Sequence, residues 1–265
     1  MEPFFLLEGF AKEPEDSAKE REGPFKEREG PAKELEGPAN ILHSQHNSHL
    51  VFKNMETILF DLDGTLLDTL TDLSNAVNHA LRSHGLPERS RMEIRQFLGN
   101  GIWNLVKASV PPTLDEAAFE PVFATFRQYY MAHCLDFTQP FPGILDTLQA
   151  LQQRGTRMAI ISNKLQPAVT ELNDRFFRQF IEIAVGESET VRRKPNPDAV
   201  LCALDALGSK KEQALYVGDS EVDVETARRA GLRCACVTWG FRDEDQLRLL
   251  APDFLIHQPE ELLQL

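Results

Sequence analysis

The chain has 265 residues, 42% of them hydrophobic, and carries 41 acidic against 28 basic side chains for a net charge of −13. That length suits one main core plus a modest second domain. The charge argues against nonspecific nucleic-acid binding, and no apolar run reaches the roughly 18 residues that a membrane span needs.

Phe4-Phe5-Leu6-Leu7 is too short for the apolar part of a signal peptide and follows no basic segment. The four cysteines, at 134, 202, 234 and 236, complete no zinc pattern with neighbouring histidines. They read as buried small residues in a reducing compartment, so a cytoplasmic location is expected.

Residues 1–54 differ from the rest. Ala18 to Pro24, Phe25 to Pro31 and Ala32 to Pro38 are copies of a seven-residue repeat, each ending in Gly-Pro. Proline inside a helix costs about 3 kcal/mol and glycine about 1 kcal/mol, and the copies lack paired apolar heptad positions. The composition predicts a disordered, charged extension. His43, His46 and His49 lie in a polar linker behind it. We expect Met55 to be the ancestral or true start, with 1–54 dispensable or mis-assigned.

From Met55 the pattern changes. Ile58-Leu59-Phe60 reads as a short buried strand over 57–61 that delivers Asp61 and Asp63 to a turn at Gly64 and Thr65. Asp-x-Asp-Gly-Thr arises by chance roughly once in 10^5 positions. Helical patterns follow at 69–84, 90–97, 100–108 and 114–134, with Leu70, Leu73, Val77 and Leu81 on one face. Phe97-Leu98-Gly99-Asn100-Gly101 interrupts them with a turn. Beyond residue 140, strands are predicted at 157–161, 181–185, 214–218, 233–237 and 253–256. They alternate with helices at 143–154, 164–178, 197–207 and 221–230. Such alternation specifies α/β architecture, a parallel sheet with helices on both faces and all C-terminal strand ends on one edge.

Candidate polar groups sit at these strand ends. Ser162-Asn163 follows Met158 to Ile161. Lys194 lies in Arg192-Arg193-Lys194-Pro195-Asn196-Pro197, where Asn196 is suited to cap the next helix and Pro197 to open it. Gly218-Asp219-Ser220-Glu221-Val222-Asp223 follows Ala214 to Val217. Glu221 reads as favourable charge in a first helical turn. Taken singly, a strand-end Ser-Asn is also an ordinary loop or helix cap, and Arg192 and Arg193 read as surface charge.

In this order the four segments resemble the motifs of the haloacid dehalogenase superfamily. The resemblance implies a Rossmann-like core at 55–68 and 140–265, with a helical cap inserted at 69–139. It assigns Asp61 as a nucleophile that forms an aspartyl-phosphate, and Asp63 as general acid–base. Lys194 offsets phosphate charge and orients the nucleophile. Thr65, Ser162, Asn163, Gly99 and Asn100 are the expected substrate and phosphate contacts. Several carboxylates around one phosphate would repel it, and all-oxygen ligation suits Mg2+. The ligands implied are Asp61, the backbone carbonyl of Asp63 and Asp219, with Asp223 holding a metal-bound water or a second position on the ion.

Asp63 argues against a dehalogenase, and Thr65 stands where phosphomutases of the group often carry valine. Lys107, the sole lysine between 69 and 139, reads as an exposed helix residue. Ser162-Asn163-Lys164, Pro142-Gly143 and the turn at Gly99-Asn100 resemble the phosphoglycolate phosphatase-like branch. A phosphatase acting on a small phosphorylated metabolite, as monomer or homodimer, is therefore expected. A phosphomutase, another phosphotransferase or an inorganic pyrophosphatase on the same scaffold is the alternative.

Intact-mass analysis of the native protein tests the status of residues 1–54. A mature chain starting near Met55 is expected, and one starting at Met1 overturns the mis-assignment.

Overall fold

The computed structural model describes residues 55–265, so the expectations for 1–54, the histidine group included, lie outside the described residues. The central strand is β1 (Thr57–Asp61), every residue of which is buried. It pairs in parallel with β4 (Arg157–Leu165) on one side and β6 (Ala214–Gly218) on the other. With β5 (Ile183–Glu187), β7 (Arg233–Val237) and β8 (Phe254–Ile256) the order is β5-β4-β1-β6-β7-β8, all parallel.

Side-chain alternation along the strands builds two apolar layers. Ile58, Phe60, Met158, Ile160, Leu215 and Val217 face one side, where α5 (Ile144–Gln153) and α6 (Gln166–Phe176) cover them. Leu59, Ala159, Ile161, Tyr216, Cys234 and Cys236 face the other, under α7 (Asp198–Ala206) and α8 (Glu221–Ala230). The six-residue helix α9 (Glu244–Leu249), too short to show a period, buries Leu247 in the same layer. Cys234 and Cys236 are buried as expected, whereas Cys202 is exposed and Cys134 half-buried.

A helical layer occupies the stretch between β1 and α5. It consists of α1 (Leu70–Ser83), α2 (Arg91–Phe97), α3 (Gly101–Ser109) and α4 (Glu116–His133). Leu70, Leu73, Val77 and Leu81 do point into one cluster, with Ile94, Leu105, Phe119 and Phe126. Serine at the N-cap of α2 and glutamate three residues on form a reciprocal capping box, Ser90 with Glu93. Lys107 is not a free surface charge; its ammonium lies 4.6 Å from the centroid of the Phe119 ring.

A feature too small for sequence periodicity closes the base of this layer. The two-residue strands β2 (Leu67–Asp68) and β3 (Gln139–Pro140) pair antiparallel and form a stem. Asp72, 2% exposed, ties the stem from within. Its carboxylate accepts the Phe137 N–H at 3.1 Å and both the N–H and hydroxyl of Thr138 at 2.8 Å. Among the described residues no helix is long and apolar enough to cross a membrane.

Burying those donors without an acceptor costs about 1–3 kcal/mol each, partly relieved by local water. Asp72→Ala is therefore expected to lower the unfolding free energy by about 2–4 kcal/mol in chemical denaturation. A loss below about 0.5 kcal/mol would remove Asp72 from the account of the stem.

Candidate active site

Parallel strands with covered faces leave their C-terminal ends as the open edge, and four segments converge there. Asp61 ends β1. The chain then turns back on itself, with Leu66 and Leu67 N–H both bonded to the Leu62 carbonyl. Gly64 takes φ +87°, and a Cβ at that position would run into the Asp219 carboxylate. The glycine is thus demanded twice, by backbone and by space.

Lys194 arrives on the loop before α7, through a cis Lys194–Pro195 bond. Its ammonium is 2.6 Å from Asp61 Oδ1 and 2.7 Å from Asp223 Oδ1. Asp61, Lys194, Asp219 and Asp223 are all at most 6% exposed. Carboxylate oxygens of Asp61, Asp219 and Asp223 lie within 4.8 Å of one another. Burial holds the Asp61 carboxyl well above its ordinary range, with Asp223 and Asp219 adding to the rise and Lys194 opposing it. Burial, then Asp223, pushes Asp219 up to about 7. For Lys194 burial pulls the other way, but Asp223 and Asp61 outweigh it, so the ammonium stays charged.

This donor set, hard, anionic, crowded and short of positive charge, fits a divalent cation of the Mg2+ kind. Asp61 and Asp219 are the members with capacity to spare. Asp223 is heavily engaged. Its Oδ1 takes Lys194 and the Tyr216 hydroxyl, and its Oδ2 takes the N–H of Asp219 and of Ser220 and the Ser220 hydroxyl. Its geometry is that of a bracket for Lys194 and for the start of α8.

Asp63 sits beside this cluster, held differently. Its Oδ1 accepts the Thr69 hydroxyl at 2.8 Å and lies 2.9 Å from the Lys164 ammonium. Lys164 also donates to the Tyr130 hydroxyl at 3.0 Å. Burial lowers the Lys164 pKa, but Asp63 and Tyr130 outweigh it and leave it raised. Burial sends the Tyr130 hydroxyl up to about 12. Phe119, Phe123, Phe126 and Tyr130 form a ladder of rings along α4, with centroids 5.6–6.3 Å apart, which fixes the tyrosine.

Several expected roles differ in the folded chain. β4 does not stop at Ile161 but continues, after a register shift, to Leu165, because Leu165 pairs with Glu187. Ser162 and Lys164 thus lie on a bulged strand, a common device for re-aiming side chains near sites. Ser162 accepts the Lys164 N–H through Oγ at 3.1 Å and keeps its O–H as a donor. Asn163 is not free to hold phosphate. Its Oδ1 accepts the Lys194 N–H at 2.6 Å, and its Nδ2 reaches the carbonyls of Lys194 and Gly99 at 3.3 and 3.4 Å. The asparagine positions the lysine loop and the Gly99 turn.

Asn100 lines a cleft of about 490 Å³ with Gln96, Phe97, Asn104, Glu221 and Arg242, apart from the Asp61–Lys194 cluster. Thr65 is fully buried, and its hydroxyl has no partner among the described residues. Asn196 does not cap α7. It turns back to the Arg193 carbonyl at 3.3 Å, and Pro197 takes the N-cap position. Glu221 is more than helix-opening charge, for it forms a two-pronged pair with Arg242. Lys164, Tyr130 and Arg242 carry no motif that announces their contacts. Only the Ser-Asn-Lys run flagged the first of them.

The sequence matches the haloacid dehalogenase-like hydrolase family over residues 58–237. The chain belongs to that family. Over 212 residues it is 34% identical to a phosphoglycolate phosphatase of Aquifex aeolicus, covering 80% of this chain and 96% of that one. It is 36% identical to phosphoglycolate phosphatase 1 of Pseudomonas aeruginosa, with 78% of each chain covered. A haloacid dehalogenase-like hydrolase from Streptococcus pneumoniae shares the fold at a TM-score of 0.73 and 27% identity, covering 80% of this chain and 98% of that one. The expected family and α/β fold thus hold, and the chain is a hydrolase akin to phosphoglycolate phosphatases.

The raised carboxyl groups have a consequence for stability. An acid whose folded pKa lies above its unfolded one binds more protons when folded, so stability falls as pH rises between the two values. For Asp219 that window runs from 3.8 to about 7. In excess chelator the melting temperature is expected to fall as pH rises from 4 to 7. Added Mg2+ should restore it more at pH 8 than at pH 5, where protons hold the same oxygens. An equal Mg2+ effect at both pH values in differential scanning fluorimetry would contradict this.

Proposed function

We propose that the protein is a Mg2+-dependent phosphatase that hydrolyses a small phosphate monoester, of the phosphoglycolate kind, through an aspartyl-phosphate on Asp61. The observation that carries this reading is the Lys194 ammonium bridging Asp61 and Asp223 in a buried pocket at the strand ends. A nucleophilic carboxylate needs to be ionised, oriented and relieved of its repulsion with phosphate, and one lysine does part of each.

In the step we infer, one Asp61 oxygen attacks phosphorus and the ester P–O bond breaks. Asp63 gives its proton to the departing alkoxide oxygen. Asp63 then takes a proton from the water that attacks the aspartyl-phosphate, and inorganic phosphate leaves with Asp61 regenerated. Ser162 O–H and the buried Thr65 hydroxyl are the donors on hand for phosphoryl oxygens. A divalent cation held by Asp61 and Asp219 would supply charge neutralisation that Lys194 alone cannot. The helical layer at 69–139 acts in this reading as the cap that excludes water and selects the substrate.

Lys164 and Tyr130 favour a small anionic leaving group. They place an ammonium and a hydroxyl beside Asp63, where the alcohol part of the ester would depart. A carboxylate on that part would find two donors already fixed.

The test is phosphate release from a panel of small esters with Mg2+. Asp61→Asn is expected to lower turnover by about 10^3-fold or more, and excess EDTA to abolish it until Mg2+ is returned. Equal release by both proteins would overturn the enzyme reading, and formation of an isomeric phosphate ester in place of free phosphate would favour a mutase. Lys164→Met should raise KM for phosphoglycolate about tenfold or more while changing it little for p-nitrophenyl phosphate. Parallel changes for both would remove the lysine from substrate selection.

A further inference from the structure

The loop that follows β7, Thr238 to Asp243, supplies no group to the proposed chemistry, yet it touches the turn after Asp61, the Asp219 carboxylate and the end of α2. The Trp239 indole N–H donates to the Thr65 carbonyl at 3.0 Å, which braces the turn after Asp61. Gly240 passes so close to Asp219 that a Cβ there would overlap the Asp219 side chain and meet the Gly64 carbonyl at 2.5 Å. The next residue donates its backbone N–H to Asp219 Oδ2 at 2.6 Å. That hydrogen bond fixes one oxygen of the carboxylate and so the direction of the other.

Phe241 and its neighbour Arg242 also contact the helical layer. The Phe241 side chain, 5% exposed, is a member of the apolar cluster formed by Leu70, Leu73, Ile94 and Leu98. Arg242, 8% exposed, forks onto Glu221 with two contacts of 2.7 Å and donates to the Leu98 carbonyl at 2.7 Å and the Arg95 carbonyl at 3.5 Å. Those carbonyls end α2, where a cation is favoured by the helix dipole. Arg95 answers from the other side, donating to Asp243 Oδ1 at 2.6 Å and the Gly240 carbonyl at 3.1 Å. The end of α2 is thus fastened to this loop by a set of charge-assisted bonds that run from the buried Arg242–Leu98 contact to the exposed Arg95–Asp243 pair.

We propose that Phe241 and Arg242 are positioning residues that couple docking of the helical layer to the orientation of Asp219, so that cation binding and cap closure are one linked event. The proposal rests on the reading of Asp219 as a metal ligand. If the layer lifts, Leu98 and Arg95 leave Arg242, Phe241 loses its apolar cover, and the N–H that aims Asp219 goes with it. A hydrogen bond to a ligating carboxylate is the kind of outer contact whose loss weakens metal binding about 10–100-fold. Linkage runs both ways: a cation that favours the aimed Asp219 must also favour the docked layer.

Two measurements on the full chain test this. In the first, Mn2+ binding is followed by the electron paramagnetic resonance of the free ion. Arg242→Met and Phe241→Leu are expected to weaken it about tenfold or more while keeping a cooperative melt. Arg242→Lys should recover part of the loss by reaching the α2 carbonyls without the fork to Glu221. In the second, amide exchange is measured without substrate. Mg2+ should slow exchange over residues 95–101 in the wild type and not in Arg242→Met. Should Arg242→Met fail to fold, Glu221→Gln, which weakens the fork and keeps the arginine, takes its place in both.

Unchanged Mn2+ affinity in the folded variants overturns the coupling, as does a wild-type exchange pattern indifferent to Mg2+. Asp219→Asn separates the two levels of inference. If it leaves Mn2+ affinity intact, the metal reading itself fails and takes the coupling with it. If it abolishes binding while Arg242→Met and Phe241→Leu bind normally, only the coupling fails.

Discussion

A single ammonium between two buried carboxylates organises the sheet edge. Without Lys194, Asp61 and Asp223 would face each other and Asp219 at a distance where buried like charges cannot all stay ionised. With it, Asp61 is aimed from β1 and Asp223 from the first turn of α8, and the loop carrying Lys194 is pinned by Asn163. One lysine still leaves the cluster short of positive charge, which is the electrostatic reason a divalent cation suits it. The cost of burying four ionisable groups is offset in part by geometry: both carboxylate oxygens of Asp223 have several donors.

What was legible in the sequence follows from what local chemistry can encode. The strand runs, the Asp-x-Asp-Gly-Thr turn and the Gly-Asp that follows Val217 are short-range signals, because a buried parallel strand followed by a polar turn leaves a local imprint. The helical layer declared itself through the 3-to-4 spacing of Leu70, Leu73, Val77 and Leu81. The stem of β2 and β3 did not, since two residues carry no period. The extension of β4 through Lys164 was hidden for another reason: its pairing partner lies in β5, and a bulge interrupts the register.

The residues whose duties changed share one property. Asn163, Asp223 and Glu221 are polar groups with more than one plausible partner, and the choice depends on segments far away in the chain. Asn163 finds Lys194, 31 residues on, and Gly99, 64 residues back. Glu221 finds an arginine 21 residues on that itself reaches back across the helical layer. No window of sequence contains these pairings. The Trp-Gly-Phe-Arg run after β7 holds the arginine that pairs with Glu221, and no local pattern marks the partners of Asn163.

The layout also explains how one scaffold separates chemistry from selection. The groups proposed to attack and to hold the metal, Asp61 and Asp219, hang on strand ends of the sheet, whose faces are filled on both sides and cannot shift without opening a core. The contacts proposed for the leaving-group side are shared. Lys164 comes from the sheet, Tyr130 from α4. In the proposed reading, closing the helical layer on the sheet therefore completes the selective half of the pocket without disturbing Asp61. The exception is Asp219, whose N–H partner belongs to a loop that the layer itself holds down. On the proposed roles, a scaffold built this way keeps Asp61 in place whether or not the layer is docked and leaves Asp219 as the element that senses whether the site is shut.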